Sequence, residues 1–384
     1  MRFAFVSTMY GYPWGGSEEL WSQTASRLKE DGHDIQATVA HQAQPSQKVT
    51  SLAEQGIKLG MYPRFPHTYM SRLVNKLALR RRRIYRRLKR FNPDLAVISQ
   101  GHNAGGFEWA KVCKEASIPY VLIVQSNSEH MWFQDSEIEE VVALYKAAQR
   151  VFCVSHRNLD LLRMQLGEQL ENGEVVWNPY NVRPEVIPTW PQKNGRWKLA
   201  CVARMEPQAK AQELLLQVFA RPEWRNRPIE LNFFGKGPHE LTLRRLANML
   251  QLDHVHFRGH VADVKEVWEQ NHLLVLPSRY EGLPLALVES MWCGRPAVVT
   301  EVAGNTEVCV DNETGFVAPA PTVPLLADTL QRAWDRREEW QSMGQAARAR
   351  AESMIPKDPI ALFAERLRSC AATVRQIPTT ANPS

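Results

Sequence analysis

Short apolar runs alternate with longer stretches whose apolar residues recur every three or four positions, a strand–helix alternation kept up along most of the chain. Residues 2–7 predict a first strand, and the segment Gly11-Tyr12-Pro13-Trp14-Gly15-Gly16-Ser17 a loop after it. A helix is expected from about Ser17, with Leu20, Trp21, Ala25 and Leu28 on one face and Gly32 as its stop. Further strands are expected near residues 35–39, 94–99, 120–125, 151–154 and 175–177. A second series begins at Trp197, with strands at 197–203, 229–234, 254–258, 273–276 and 297–300. Helices are expected between them at about 210–220, 238–250, 263–270 and 284–293, and two helical stretches follow near 322–352 and 358–375. Repeated βα units predict an α/β chain with two Rossmann-like, doubly wound parallel sheets.

Prolines cluster between Asn178 and Gly195, so the domain boundary is placed there. The expected division is residues 1–190, then 191–355, then a C-terminal helix at 356–376 packing back on the N-terminal domain. Residues 377–384 read as a disordered tail. The first strand–loop–helix unit lacks GxGxxG, which disfavours a dinucleotide cofactor and an NAD-type oxidoreductase.

Composition adds two constraints. At 384 residues and 44% apolar content the chain has enough material for two cores, and no apolar run reaches the roughly 18 residues of a membrane-crossing helix. The N-terminus runs straight into strand pattern without a signal-peptide-like segment, and six cysteines are scattered with no CxxC spacing; both point to a cytoplasmic protein. The net charge of +6 is unevenly spread: ten basic residues and no acidic one lie from Arg72 to Arg90. Leu73, Leu77, Ile84, Leu88 and Phe91 share one face of that stretch, which predicts a cationic amphipathic helix. A solvated surface explains most charge runs. Ten positives without an acid favour an anionic membrane surface, peripheral at its inner face, and no nucleic-acid reader motif accompanies them.

The chemistry concentrates in the second half. Pro277–Gly294 follows an apolar strand and passes through Gly282, Leu283, Pro284 and Leu285 into an apolar helix, with Pro284 suited to its first turn. A fresh helix N-terminus after a strand is an anion site, and Glu281 and Glu289 bracket it. Arg204 and Lys210 follow an earlier strand and each can reach a phosphate, Arg by a fork and Lys as a point charge. Gly235 and Gly237 form a turn that lets backbone approach a ligand closely. Carboxylates beside an anion site fit a sugar attached to phosphate.

In order, Arg204…Lys210, Gly235-Lys236-Gly237-Pro238, Phe257-Arg258-Gly259, the run from Pro277 to Glu289, Gly294-Arg295-Pro296, Ala303-Gly304…Glu307 and Gly315-Phe316 resemble the family 4 glycosyltransferases. These are retaining enzymes with two Rossmann-like domains facing a cleft, the GT-B fold. The resemblance covers roughly residues 197–320, and Glu281 and Glu289 stand at the family's E-x7-E spacing. It implies that Arg204 and Lys210 hold the diphosphate of a UDP- or GDP-sugar and that Gly16 lends an amide to the same phosphates. Glu281 is implied to bind the donor sugar and Glu289 the ribose, with Arg258 in the loop that lines the base.

No cofactor beyond this co-substrate and no metal are expected, since the chain has no Asp-x-Asp triplet. The implied reaction is metal-independent transfer to a lipid-linked or polysaccharide-precursor glycan acceptor. Two departures stand out. Ala211 occupies a place where many members have glycine, and Gln125 one where members often have histidine. Glutamine binds hydroxyls but cannot act as a base, and His102 or His130 are candidates to stand nearby. An epimerase or phosphorylase of the same fold, or a non-catalytic nucleotide-sugar-binding or scaffolding protein, are the alternatives.

Overall fold

The computed structural model describes residues 1–9, 14–41, 46–62, 74–192 and 194–375. The Gly11–Pro13 part of the glycine loop, Arg72 and Leu73 of the basic stretch, and the expected tail at 377–384 lie outside them. The chain forms two compact units, Met1–Pro179 with Asp358–Ser384, and Tyr180–Lys357.

The first unit is a seven-stranded parallel sheet made of β1 (Arg2–Ser7), β2 (Asp34–Ala40), β3 (Lys58–Tyr62), β4 (Leu95–Gln100), β5 (Tyr120–Val124), β6 (Arg150–Cys153) and β7 (Gly173–Val175). Its order is β3-β2-β1-β4-β5-β6-β7. The helices are α1 (Glu19–Glu30), α2 (Gln47–Glu54), α3 (Val74–Phe91), α4 (Phe107–Glu115), α5 (Ile138–Ala147) and α6 (His156–Leu166). Every residue of β4 and β5 is buried, as expected of parallel strands covered on both faces. Edge strand β3 and the shift of β7 two residues upstream of its expected position were not marked by any apolar run.

The second unit has strands β8 (Trp197–Val202), β9 (Ile229–Phe234), β10 (Val255–Gly259), β11 (Leu273–Leu276), β12 (Ala297–Thr300) and β13 (Gly315–Ala318), ordered β10-β9-β8-β11-β12-β13 and all parallel. Its helices include α7 (Pro207–Lys210), α8 (Gln212–Phe219), α9 (Pro222–Arg225), α10 (Glu240–Met249), α11 (Val264–Gln270), α12 (Leu285–Trp292), α13 (Asn305–Val308), α14 (Val323–Asp335) and α15 (Trp340–Met354). The helix expected at about 210–220 is α8, and Ala211 at its start adopts a left-handed conformation (φ 50°) that sets it off from the single turn α7. The last helix, α16 (Pro359–Arg375), belongs to the first unit, where Phe363, Ala364, Leu367 and Ala371 join Leu20, Trp21 and Phe152 in one core.

The basic helix α3 differs from a free amphipathic helix. Ile84, Leu88 and Phe91 are buried in the core of the first unit, while Arg81, Arg82, Arg83 and Arg86 are exposed. Over residues 81–91 those three apolar side chains are therefore spent on the fold, and the four guanidiniums meet solvent beside the partly exposed Tyr85. Among the described residues, no helix is long and apolar enough to cross a membrane. The described cysteines carry no disulfide, and burial raises the thiols of Cys113, Cys153, Cys201, Cys293 and Cys309 to about 12, so they act as small buried apolar groups.

Candidate active site

In the second unit the strand order reverses between β8 and β11, the position where open α/β sheets bind ligands. The loops leaving those strands meet there: Arg279 N donates to Ala209 O at 2.8 Å, and Arg279 Nη1 to Pro207 O at 2.6 Å.

The loop after β8 carries Arg204 and Lys210. Its backbone is tied to the loop after β9, with Ala203 N donating to Phe234 O (3.0 Å) and Met205 N to Lys236 O (3.2 Å). This contact explains the glycines. A Cβ on Gly235 would lie 2.2 Å from Ala203 O, and one on Gly237 2.4 Å from Met205 O. The close approach they permit is to the protein's own backbone beside Arg204. The guanidinium of Arg204 donates from Nε (2.9 Å) and Nη2 (2.5 Å) to one oxygen of Glu206.

The loop after β11 carries Glu281, whose Oε1 accepts from Lys210 Nζ (2.5 Å) and Ser278 Oγ (2.8 Å). Lys210 and Glu281 thus close an ion pair across the point where the strand order reverses. Burial and the carboxylates of Glu206 and Glu281 push the Tyr280 phenol up, with Arg204 opposing, so the four groups share one neighbourhood. Gly282, Leu283 and Pro284 are buried, and Gly304 N donates to Gly282 O at 2.9 Å. Pro284 (φ −66°) stands just before α12 rather than within its first turn, and Leu285 opens the helix. Two cations and the first amides of an eight-residue helix therefore lie on adjoining loops.

The remaining donor-side candidates are held differently. Glu289 is 3% exposed, and its Oε1 accepts from Asn181 N (3.0 Å) and Asn181 Nδ2 (2.9 Å). Tyr180 packs on Trp292 with ring centroids 5.3 Å apart. The start of the proline-rich segment is thereby fixed onto α12, an arrangement the sequence pattern gave no sign of. Arg258 Nε donates to Asn232 Oδ1 (2.8 Å), and Asn232 Nδ2 to Asn271 Oδ1 (3.0 Å), while Phe257 stacks on Phe233.

In the first unit the order reverses between β1 and β4. Gly16 is exposed and opens the single 3-10 turn Gly16–Glu18 after β1. Glu18 is buried behind it and accepts from Trp21 Nε1 (3.0 Å); burial raises its carboxyl to about 7 against hydrogen bonds from Ser7, Trp21 and Ser17. Gln125, at the end of β5, is 5% exposed, and its Oε1 accepts from Asn178 Nδ2 at 3.1 Å. Gln125 Nε2 and Asn178 Oδ1 have no hydrogen-bond partner among the described residues. His102 and His130 are exposed; Ala104 N donates to His102 Nδ1 (3.3 Å), and His130 N to Ser128 Oγ (3.3 Å). Beneath them lies a buried amide network: Asn103 Nδ2 donates to Gln165 Oε1 (2.9 Å) and Met131 O (2.9 Å), and Asn127 Nδ2 to Gln165 Oε1 (2.7 Å). Sequence spacing offered no signal for it.

Two family profiles match in succession, Glycosyltransferase Family 4 over residues 14–184 and Glycosyl transferases group 1 over residues 182–350. Among curated proteins, the chain is 30% identical over 141 residues to an alpha-D-kanosaminyltransferase of Streptomyces kanamyceticus, covering 36% of each chain. It is 32% identical over 120 residues to the N-acetyl-alpha-D-glucosaminyl L-malate synthase of Bacillus anthracis, covering 31% of this chain and 32% of that one. These matched stretches span only about a third of those relatives' length. Among solved structures, the Anabaena HepE protein in complex with UDP-glucose superposes with a TM-score of 0.72 at 18% identity, covering 96% of this chain and 99% of that one. Sucrose-phosphate synthase from Thermosynechococcus elongatus gives 0.74 at 17% identity, covering 97% and 100%. With two all-parallel Rossmann-like units, this backbone similarity, and both halves matched by successive family profiles, the chain belongs to the family 4 glycosyltransferases and has the GT-B fold.

Proposed function

We propose that this protein transfers a sugar from a UDP- or GDP-sugar, with retention of anomeric configuration, to a lipid-linked or polysaccharide-precursor glycan. The observation that carries the reading is the placement of Arg204, Lys210 and the start of α12 on the loops after β8 and β11, with Glu281 paired to Lys210. Breaking the bond between sugar and diphosphate develops negative charge on the leaving phosphate. Fixed cations and helix-terminal amides aimed at that charge lower the barrier without reorganising. Arg204 and Lys210, turned to a departing diphosphate, can stabilise its charge without a divalent metal, which favours a metal-independent reaction. The departing phosphate can itself take the acceptor's proton in front-face attack, so Gln125 need not act as a base.

In this reading Arg204 and Lys210 bind the diphosphate, and Gly16, Leu283 and Leu285 offer amides to it. Gly282 and Pro284 shape that turn, and Gly235 supports the Arg204 loop. Glu281 binds sugar hydroxyls, Glu289 the ribose, and Arg258 borders the base. Gln125, His102 and His130 are proposed contacts for sugar or acceptor. The exposed guanidiniums of α3 support a peripheral location at the cytoplasmic face of an anionic membrane, by charge rather than by insertion.

The test is turnover of a UDP- and GDP-sugar panel against membrane extract, with Lys210→Ala and Glu281→Ala as comparison variants. Each variant is expected to lose at least about a hundredfold in transfer, with an unchanged circular dichroism spectrum. Full activity in both would refute the site. Sugar conversion without acceptor would instead indicate an epimerase, dependence on free phosphate a phosphorylase, and binding without turnover a non-catalytic protein.

A further inference from the structure

The cations of the loop after β8 are engaged by carboxylates of their own unit. Lys210 pairs with Glu281, and Arg204 presents Nε and Nη2 to a single oxygen of Glu206. That edge of a guanidinium is one that forms a fork to a phosphate. Counting Arg204, Lys210, Glu206 and Glu281, the cluster is neutral. A diphosphate approaching it gains full attraction only when a carboxylate gives way.

Glu206 is the carboxylate placed to do so. Glu281 is the more buried of the two, 7% exposed at its side chain against 14%, and so the more costly to strip of its partner. Glu206 precedes α7 but makes no side-chain cap there; its carboxylate turns to Arg204 instead. The loop also has ties that do not involve that carboxylate. Its backbone is fixed by the bonds from Ala203 and Met205, by Gln212 Nε2 donating to Arg204 O (2.6 Å), and by the main-chain carbonyl of Glu206 accepting from Ala209 N and Lys210 N.

We infer that Glu206 is an internal competitor for the diphosphate on Arg204: it yields when the donor binds and, by returning to the guanidinium, expels the nucleoside diphosphate product. The inference rests on the donor reading above and adds to it a residue that controls product release. Glu206 touches Arg204 and need not touch the sugar, so its effect belongs in dissociation of the diphosphate and in product inhibition.

The experiment measures binding and dissociation of UDP, GDP and inorganic pyrophosphate on the full chain by calorimetry and stopped flow. Glu206→Gln, and independently Glu206→Ala, are expected to bind the preferred nucleoside diphosphate about tenfold more tightly, mostly through slower dissociation. In an Arg204→Gln background the same change should alter affinity by less than about twofold, since the competition is for Arg204. A side chain that merely shaped the loop would weaken binding in both variants, and that result, or unchanged affinity, overturns the inference. If the wild-type chain binds none of the three probes, the donor reading fails and this inference with it.

Discussion

Arg295→Met tests how a single buried cation holds the second unit together. Arg295 is 2% exposed, and its hydrogen bonds among the described residues all go to main-chain carbonyls, none to a carboxylate. Its Nε donates to Trp268 O (3.0 Å) and Asn271 O (3.3 Å), Nη1 to Cys293 O (2.6 Å), and Nη2 to Thr189 O (2.6 Å) and Trp268 O. The guanidinium also lies over Trp190, 5.1 Å from the ring centroid. Burial lowers it to about 10, so it stays protonated at neutral pH. Those carbonyls close the ends of α11 and α12, which a helix leaves without internal partners, and anchor residues 188–190 beside them. Methionine keeps most of the volume and removes every donor. Each buried carbonyl left unpaired costs about 1–3 kcal/mol, partly offset by no longer burying a charge. The net loss expected is about 3–5 kcal/mol. Urea unfolding followed by tryptophan fluorescence reads it, with hydrogen exchange at 268–272 localising the effect. Arg295→Lys should fall between, because an ammonium has three donors and no plane to stack. A loss below about 1 kcal/mol for Arg295→Met would refute the reasoning.

Ala211→Gly should stabilise the protein by about 0.5–1 kcal/mol, because a left-handed φ of 50° strains alanine but not glycine; a lower melting temperature would contradict this. Glu18→Gln probes the buried carboxyl behind Gly16. Burial holds its folded pKa at about 7, above the ordinary carboxyl value of 4.5, so the wild type loses stability as pH rises from the lower value through the higher. The variant should therefore gain on the wild type by up to about 3 kcal/mol between pH 4.5 and 8, read by denaturant melts, and parallel pH profiles would exclude a titrating Glu18. Replacing Arg82, Arg83 and Arg86 by Gln should reduce flotation with anionic vesicles by at least about tenfold, at about 1 kcal/mol per charge, and leave neutral vesicles unaffected. Equal flotation would place membrane contact elsewhere.

The fold was legible where burial acts on both sides of a strand. Residues 95–100 and 120–124 read as apolar runs because helices cover both faces of the sheet they form. Lys58–Tyr62 and Gly315–Ala318 are edge strands with one neighbour each; the first mixes polar and apolar residues as a loop does, and the second is apolar but only four residues long. The turn at Ala211 was marked only by its place where many family members have glycine. Alanine is the best helix former, so its own propensity gives no hint of the left-handed turn it makes between α7 and α8.

The site divides along the same physical line. Arg204, Lys210 and Glu281 stood out because a strand, a short loop and a helix deliver charge to the carboxyl edge of a sheet, and that order is written locally. Their partners were not written locally. Glu281 meets Lys210 from 71 positions away, and Asn181 reaches Glu289 across 108. In the first unit the contrast is sharper, since Asn103 and Asn127, in the loops after β4 and β5, both meet Gln165 of α6. Amides in loops are ordinarily surface groups, and nothing in their spacing says that these three converge. Once buried, however, the bonds these amides make tie the loops after β4 and β5 to α6, and so hold the backbone on which Gln125 and His102 stand. The chemistry proposed for the donor is thus carried by charge and can be read from sequence. The chemistry proposed for the acceptor is carried by neutral hydrogen-bonding groups, whose meaning exists only after folding.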